Sequence, residues 1–531
     1  MMESTISTDK IKLFLNKIDE LINIENKKKG GALAVAVTHG NKIIYQRHIG
    51  KADIEHSVAV KPNTKFYLAS VSKQFAAFCI ALLEKEGKLC VKDKVGQYLD
   101  YFPAHFSDIT IEHLVHHTSG LRDEFLLYSL AGKNSDFDHR HIELVRKLTQ
   151  RQYSLNFTPG EYYLYSNTGY NLLAEIVSVV SGKSLRKYAE ENVFIPLKMK
   201  DTFFYDDITE IIPDRAMGYA YNEESHQWRR DDLNDVVVGG SGLYSTVNDL
   251  CSWMKAFYSP SIVQDLWPQL SRTPDLTNGN RNNYAYGFAI NQREGQKIIR
   301  HDGGYGGFRS EVCILPDAEL GIAVTSAMNT NVSKLVQQCF DVLFNPNDTK
   351  PEKQPCRTSD ADITGIFKGL QPYPYIITKE DCYLLGNLFE KGNPIIFNSD
   401  GTFQAEDGKI RFRPVIENDN VIALEQINEN GNVFYLDKMI DDGGADIQLL
   451  LGHYYNHETE AVLTVAASGD ELYIDAIISP ERKEVLHRVY GNSYFSPSTK
   501  LIIDFALDPE TNEPQLYLSN GRCWNIEFVA F

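Results

Sequence analysis

The sequence predicts an α+β protein: an antiparallel sheet flanked by helices with an inserted helical subdomain, followed by two small antiparallel β-barrels. Two observations predict it. Strand-like apolar runs stand at both ends of the first 345 residues, at 34–38 and 43–47 and again at 298–300, 310–315 and 321–325. The stretch between them is mainly helical and loop-rich, so one sheet is closed by both ends of a domain. Past a polar, Pro-rich stretch at 346–362 the pattern changes. Short Tyr-, Phe-, Ile- and Val-rich runs then alternate with turns such as Ser399-Asp400-Gly401 and Gly469-Asp470-Glu471. That is all-β patterning.

The elements follow in order. Ile11, Phe14, Leu15, Ile18, Leu21 and Ile22 recur at helical spacing, which predicts an amphipathic helix docked on a core. Lys12, Lys17, Asp19 and Glu20 interrupt the apolar run, so it does not read as a secretory signal, and no stretch is long and apolar enough to span a membrane. A cytoplasmic address is the expectation. His39-Gly40-Asn41-Lys42 reads as a hairpin turn between the first two strands. A strongly apolar helix is predicted over 70–86, closed by Gly87, and a further helix over 333–344. A chain of 531 residues exceeds one core, and the expected domains are 1–345, a linker at 346–362, and barrels at 363–448 and 449–531. The likeness of ITGIFKG at 363–369 to LLGHYYN at 450–456 hints that the barrels are repeats.

Composition narrows the function. The formal net charge is -18, which argues against nucleic acid and against an anionic membrane surface as partners. The eight cysteines are scattered without CxxC spacing and read as free thiols. No metal or cofactor is expected. His113, His116 and His117 cluster in sequence, but adjacent residues of a helix point apart and no carboxylate or cysteine completes a metal set. The expected partner is a small molecule or short peptide, with self-association, a homodimer for instance, left open.

Three motifs carry chemistry. In Ser70-Val71-Ser72-Lys73 a lysine three positions on reaches the serine hydroxyl from the same helix face. A helix N-terminus and burial both favour its neutral, basic form. The same spacing occurs at Ser7/Lys10, Ser184/Lys187 and Ser252/Lys255; only Ser70 follows an apolar run and opens a strongly apolar helix. Tyr165-Ser166-Asn167 stands in a turn-rich segment before a helix, where a tyrosine could relay protons and an asparagine hold an amide or the lysine. His301-Asp302-Gly303-Gly304 lets a substrate backbone approach, and the N–H groups of Gly304 and Ser70 could form an oxyanion hole.

In this order the motifs resemble the serine β-lactamase and penicillin-binding-protein superfamily, in its class C-like branch of esterases, D-aminopeptidases and DD-peptidases. EHLVHHTSGL at 112–121, GGSGLYSTVNDL at 239–250 and YGF at 286–288 resemble it too. The resemblance covers roughly residues 10–345. It implies that Ser70 forms an acyl-enzyme, Lys73 takes its proton and Tyr165 assists proton transfer to the leaving group and activates water. Asn167 would orient the substrate amide, and His301, Gly303 and Gly304 would line the substrate strand. His301 stands where many relatives carry lysine; a mostly neutral group suits a substrate carboxylate poorly, which favours esterase or aminopeptidase action. The similar D-aminopeptidases imply a loop from the last barrel at the active site. Residues 479–484 are the candidate here, with Glu481 or Glu484 pairing a substrate ammonium. A catalytically idle scaffold on the same fold, or a β-lactam-binding protein, are the alternatives.

Overall fold

A computed structural model describes residues 6–29, 32–133, 140–222, 224–344, 362–380, 382–390, 392–405, 410–469, 471–475, 483–508 and 513–531. The expected linker lies almost wholly outside the described residues.

The first domain is built on a six-stranded antiparallel sheet. Its order is Ala289–Arg293, Gln296–Tyr305, Phe308–Leu315, Leu320–Ser326, Leu33–His39, Lys42–Ile49. Strands from both ends of the domain meet at its centre, with Val35 opposite Val324. The first hairpin turns at Gly40, whose φ of 54° a residue with a side chain rarely adopts.

One sheet face is covered by the helices Thr8–Lys29 and Val332–Phe344, which bury Phe14, Ile18 and Ile22 against Val35, Val37 and Phe340. The predicted amphipathic helix is therefore a core element. The other face packs on the inserted helical region. Its centre is the helix Ser72–Lys85, entered through a 3₁₀ turn at Ala69–Val71 and buried along nearly its whole length.

Beyond the first domain lie two β-structures. A nine-stranded antiparallel sheet begins and ends at strands separated by one residue, Asn393–Pro394 and Ile396–Phe397, so it curls into a near-closed barrel. The last eight strands, from Gly452–Asn456 to Ile526–Ala530, form a closed barrel. Closure leaves no unpaired edge to aggregate.

Both barrels dock on the first domain. Asn280 and Arg281 exchange four hydrogen bonds of 2.8–3.2 Å with Asn432 and Val433 of the first barrel. Against the second, Arg122 Nη1 meets Glu458 Oε1 at 2.6 Å, both side chains 2% exposed. Leu126, Leu127 and Tyr128 of the first domain share an apolar cluster with Leu450, Tyr454 and Phe528 of that barrel. Among the described residues no helix is long and apolar enough to cross a membrane.

Candidate active site

Ser70 sits in the 3₁₀ turn, half-buried, directly after Ala69, whose φ is 46°. A left-handed alanine is strained, and the turn is held by its neighbours: Ser310 Oγ donates to Leu68 O at 2.6 Å, and Ser72 Oγ to Ala69 O. The strand Gln296–Tyr305 runs against this turn. Its pairing with the edge strand ends at Arg300, which leaves the segment from His301 onward to border Ser70. A side chain at Gly303 would put a Cβ 2.2 Å from Leu68 O and 3.0 Å from Ser70 N, so glycine is required for that approach. Gly304 follows on the same strand, in register with Arg309.

Lys73 is fully buried and its ammonium nitrogen has three partners. It donates to Ser70 Oγ at 3.2 Å, to Asn167 Oδ1 at 2.6 Å and to Gly240 O at 2.6 Å. Burial is the main cause that drives its pKa well below the ordinary lysine range, and the Arg522 charge adds to it. The Tyr165 ring centroid lies 4.6 Å from Lys73 Nζ. Burial pushes the Tyr165 phenol well up, opposed by its hydrogen bond with Ser70 and by the Arg522 charge. Tyr165 therefore rests as a protonated phenol.

The sequence motifs Ser70/Lys73 and Tyr165/Asn167 thus converge on one point. The Asn167 amide, however, is engaged at both ends: Oδ1 accepts from Lys73, and Nδ2 donates to Asp123 Oδ2 at 2.9 Å. These two bonds place Asn167 between Asp123 and Lys73.

His301 is not bonded to Ser70 or Lys73. Its Nδ1 lies 2.6 Å from Asp302 O and its Nε2 2.8 Å from Tyr284 Oη. A carbonyl can only accept, so Nδ1 carries the proton and Nε2 accepts from the tyrosine. Burial and the Lys73 charge push His301 down to about 4, so it is neutral at neutral pH. The three clustered histidines go separate ways. His113 caps the helix Ile111–Val115, His116 Nδ1 bonds Tyr284 O, and the buried His117 ring packs on Tyr165 with centroids 4.4 Å apart.

Two residues at the site escaped sequence reading. Asp123 Oδ2 accepts from both Asn167 N and Nδ2, completing a chain Asp123–Asn167–Lys73. Arg522, from the second barrel, lies with its guanidinium carbon 4.8 Å from the Tyr165 ring centroid. The available signal was the charged triplet Arg122-Asp123-Glu124 set between apolar residues; nothing local marked Arg522.

Among the described residues, the barrel loop at the site is the one between the strands Pro514–Ser519 and Ile526–Ala530. Of the loop expected from sequence, residues 479–482, Glu481 included, lie outside the described residues. Glu484 is buried in its own barrel and accepts hydrogen bonds from Ser496, Ser498 and Thr499. Those bonds, all on Oε2, tie it to the wall of its own barrel.

Asp123→Asn gives a signed test. Removing that negative charge lowers the Lys73 pKa further, so the acid limb of kcat/KM should move to lower pH. Loosened Asn167 and Lys73 should also reduce kcat, by up to about 10²-fold. An unmoved acid limb in the folded variant would detach Asp123 from Lys73.

A buried lysine on a turn-borne serine, beside a tyrosine and a glycine-bearing strand, defines a serine hydrolase-like site on an α+β scaffold. The chain matches the beta-lactamase family over residues 20–337 and belongs to that family. Penicillin-binding protein 4* of Bacillus subtilis (strain 168) is 32% identical over 371 residues, 66% of this chain and 80% of that protein. Protein flp of Staphylococcus aureus (strain MRSA252) is 28% identical over 342 residues, 62% of this chain and 66% of that one. Among solved structures, the octameric penicillin-binding protein homologue from Pyrococcus abyssi superposes with a TM-score of 0.56 at 20% identity, covering 80% of this chain and 100% of that one. The penicillin binding protein from Bacillus halodurans gives 0.54 at 24% identity, over 61% and 98%. At these identities the two structures bear on the fold alone.

Proposed function

We propose that the protein hydrolyses small ester or amide substrates through an acyl-enzyme on Ser70. The observation that carries this is the 3.2 Å contact between Ser70 Oγ and a fully buried Lys73 whose surroundings favour the neutral amine. Neutral Lys73 takes the Ser70 proton as Oγ attacks the substrate carbonyl carbon. The N–H groups of Ser70 and Gly304 hold the developing oxyanion in this scheme. The Tyr165 phenol, protonated at rest, passes a proton to the leaving group and is reprotonated from Lys73. In deacylation a water loses its proton along the same path in reverse and attacks the acyl carbonyl, returning Ser70 to its hydroxyl form.

His301, Gly303 and Gly304 are proposed to line the bound acyl group. A neutral His301, with both ring nitrogens engaged by Asp302 O and Tyr284 Oη, brings no charge to the site. The test is covalent labelling of intact protein by a fluorophosphonate and by a fluorescent penicillin, read by mass. One adduct on Ser70 is expected with the fluorophosphonate, and a penicillin adduct would add β-lactam binding. Failure of both reagents to label would leave the idle-scaffold alternative standing.

A further inference from the structure

Arg522 comes from a part of the chain far from every motif above, and its setting is rigid. Trp524 N donates to Asn156 Oδ1 at 2.7 Å, and Asn156 Nδ2 donates to Arg522 O at 3.2 Å. Cys523 Sγ donates to Asp123 O at 3.3 Å, and the Trp524 ring packs on Phe157 of the first domain. The loop is thus fastened to the first domain at Arg522 and at both residues after it, and the guanidinium is held beside Tyr165.

The guanidinium itself is not satisfied by the protein. The carboxylate it approaches is Asp123, at 3.7 Å, too far for a hydrogen bond. Both Asp123 oxygens already accept other bonds, Oδ1 from Phe125 N and Oδ2 from Asn167 N and Nδ2. The Arg522 side chain is 48% exposed and its guanidinium donates to no described residue. An arginine stacked on a tyrosine, with its donors unspent, is pre-organised for a planar, bidentate acceptor.

The charges nearby favour the same occupant. Burial holds Lys73, His117 and His301 toward their neutral forms, whereas Arg522 keeps its charge. Asp302, exposed on the site strand, is a second acidic neighbour and is not bonded to Arg522.

We propose that Arg522, carried by the second barrel, is the receptor for a carboxylate on the substrate, so that the barrel completes the active site and selects anionic esters or amides. This rests on the Ser70 hydrolase reading and names its substrate class.

The test compares two esters of one length, p-nitrophenyl hydrogen glutarate and p-nitrophenyl pentanoate, on the full-length protein. The wild type should favour the charged ester in kcat/KM by at least about tenfold, the scale of one charge-assisted hydrogen bond. Arg522→Gln should abolish that ratio, and Arg522→Lys should retain part of it. The ratio cancels any effect of the variant on Lys73, which acts on both esters alike. A binding arm separates the inference from the hydrolase reading. Monomethyl glutarate should bind the Ser70→Ala protein at least about tenfold more tightly than its Ser70→Ala/Arg522→Gln counterpart, by calorimetry. Dimethyl glutarate should bind the two equally. Equal binding of the charged and uncharged ligands, or a charge preference that survives Arg522→Gln, overturns the carboxylate receptor. Full turnover by Ser70→Ala with Arg522-dependent binding intact overturns the nucleophile instead.

Discussion

Replacing Ser70 by Ala is expected to reduce turnover by about six orders of magnitude, the scale on which losing the nucleophile acts in a serine hydrolase. Covalent labelling should vanish with it. The reason is geometric: Ser70 Oγ is the hydroxyl that both Lys73 and Tyr165 address. The substitution removes one half-exposed oxygen from a turn whose other anchors, Ser72 and Ser310, stay in place, so thermal stability should hold within about 0.5 kcal/mol. The measurement is steady-state ester hydrolysis beside intact-protein mass after fluorophosphonate treatment. An adduct that persists at wild-type rate in the variant rules out Ser70 as the nucleophile.

The second large effect belongs to Lys73 and Tyr165. Lys73→Ala and Tyr165→Phe should each slow acylation by about 10²–10⁴-fold, the range for a general acid–base group. The double variant should lose far less than the product, because the two side chains serve one proton path. The wild-type pH profile should carry the same signature. Lys73 acts as a base only when neutral, so kcat/KM should rise with pH through the Lys73 pKa, and that rise should lie well below the ordinary lysine range. Multiplicative losses in the double variant, or an acid limb that survives Lys73→Ala unchanged, would assign the proton transfer to other groups.

The interlocking of the domains gives these effects a structural frame. The helix Ser72–Lys85, the Asp123 chain and the second barrel meet around one buried lysine. Arg122, one residue before Asp123, is the residue that pairs with Glu458 of the barrel. The barrel is thereby fixed to the segment that positions Asn167.

Residues close in sequence could be read from the chain directly. Ser70 and Lys73 are one helical turn apart, and an i, i+3 pair must share a face. The sheet strands and the Thr8–Lys29 helix were legible because burial on one side imposes a period on the residue pattern. The β-rich character of the C-terminal third was legible for the same reason.

What the sequence could not fix was every relation that depends on two distant segments meeting. Asp123 is 44 residues from Asn167, and no local spacing links a carboxylate to an amide across that separation. The choice of which barrel turn reaches Tyr165 depends on how the barrel docks. A turn's polarity shows that it is exposed, not what it faces. Residues 479–484 and the Arg522 turn look alike as polar hairpin text, yet Asn156, Asp123 and Phe157 anchor the second. The sequence by itself marked the Ser70/Lys73 pair and determined the class of fold, because those follow from local periodicity and short spacing. Only the tertiary structure decided that Asn167 is hydrogen-bonded to Lys73 and that a cation from another domain stands over Tyr165, because burial and charge at a site are sums over whatever the folded chain brings there.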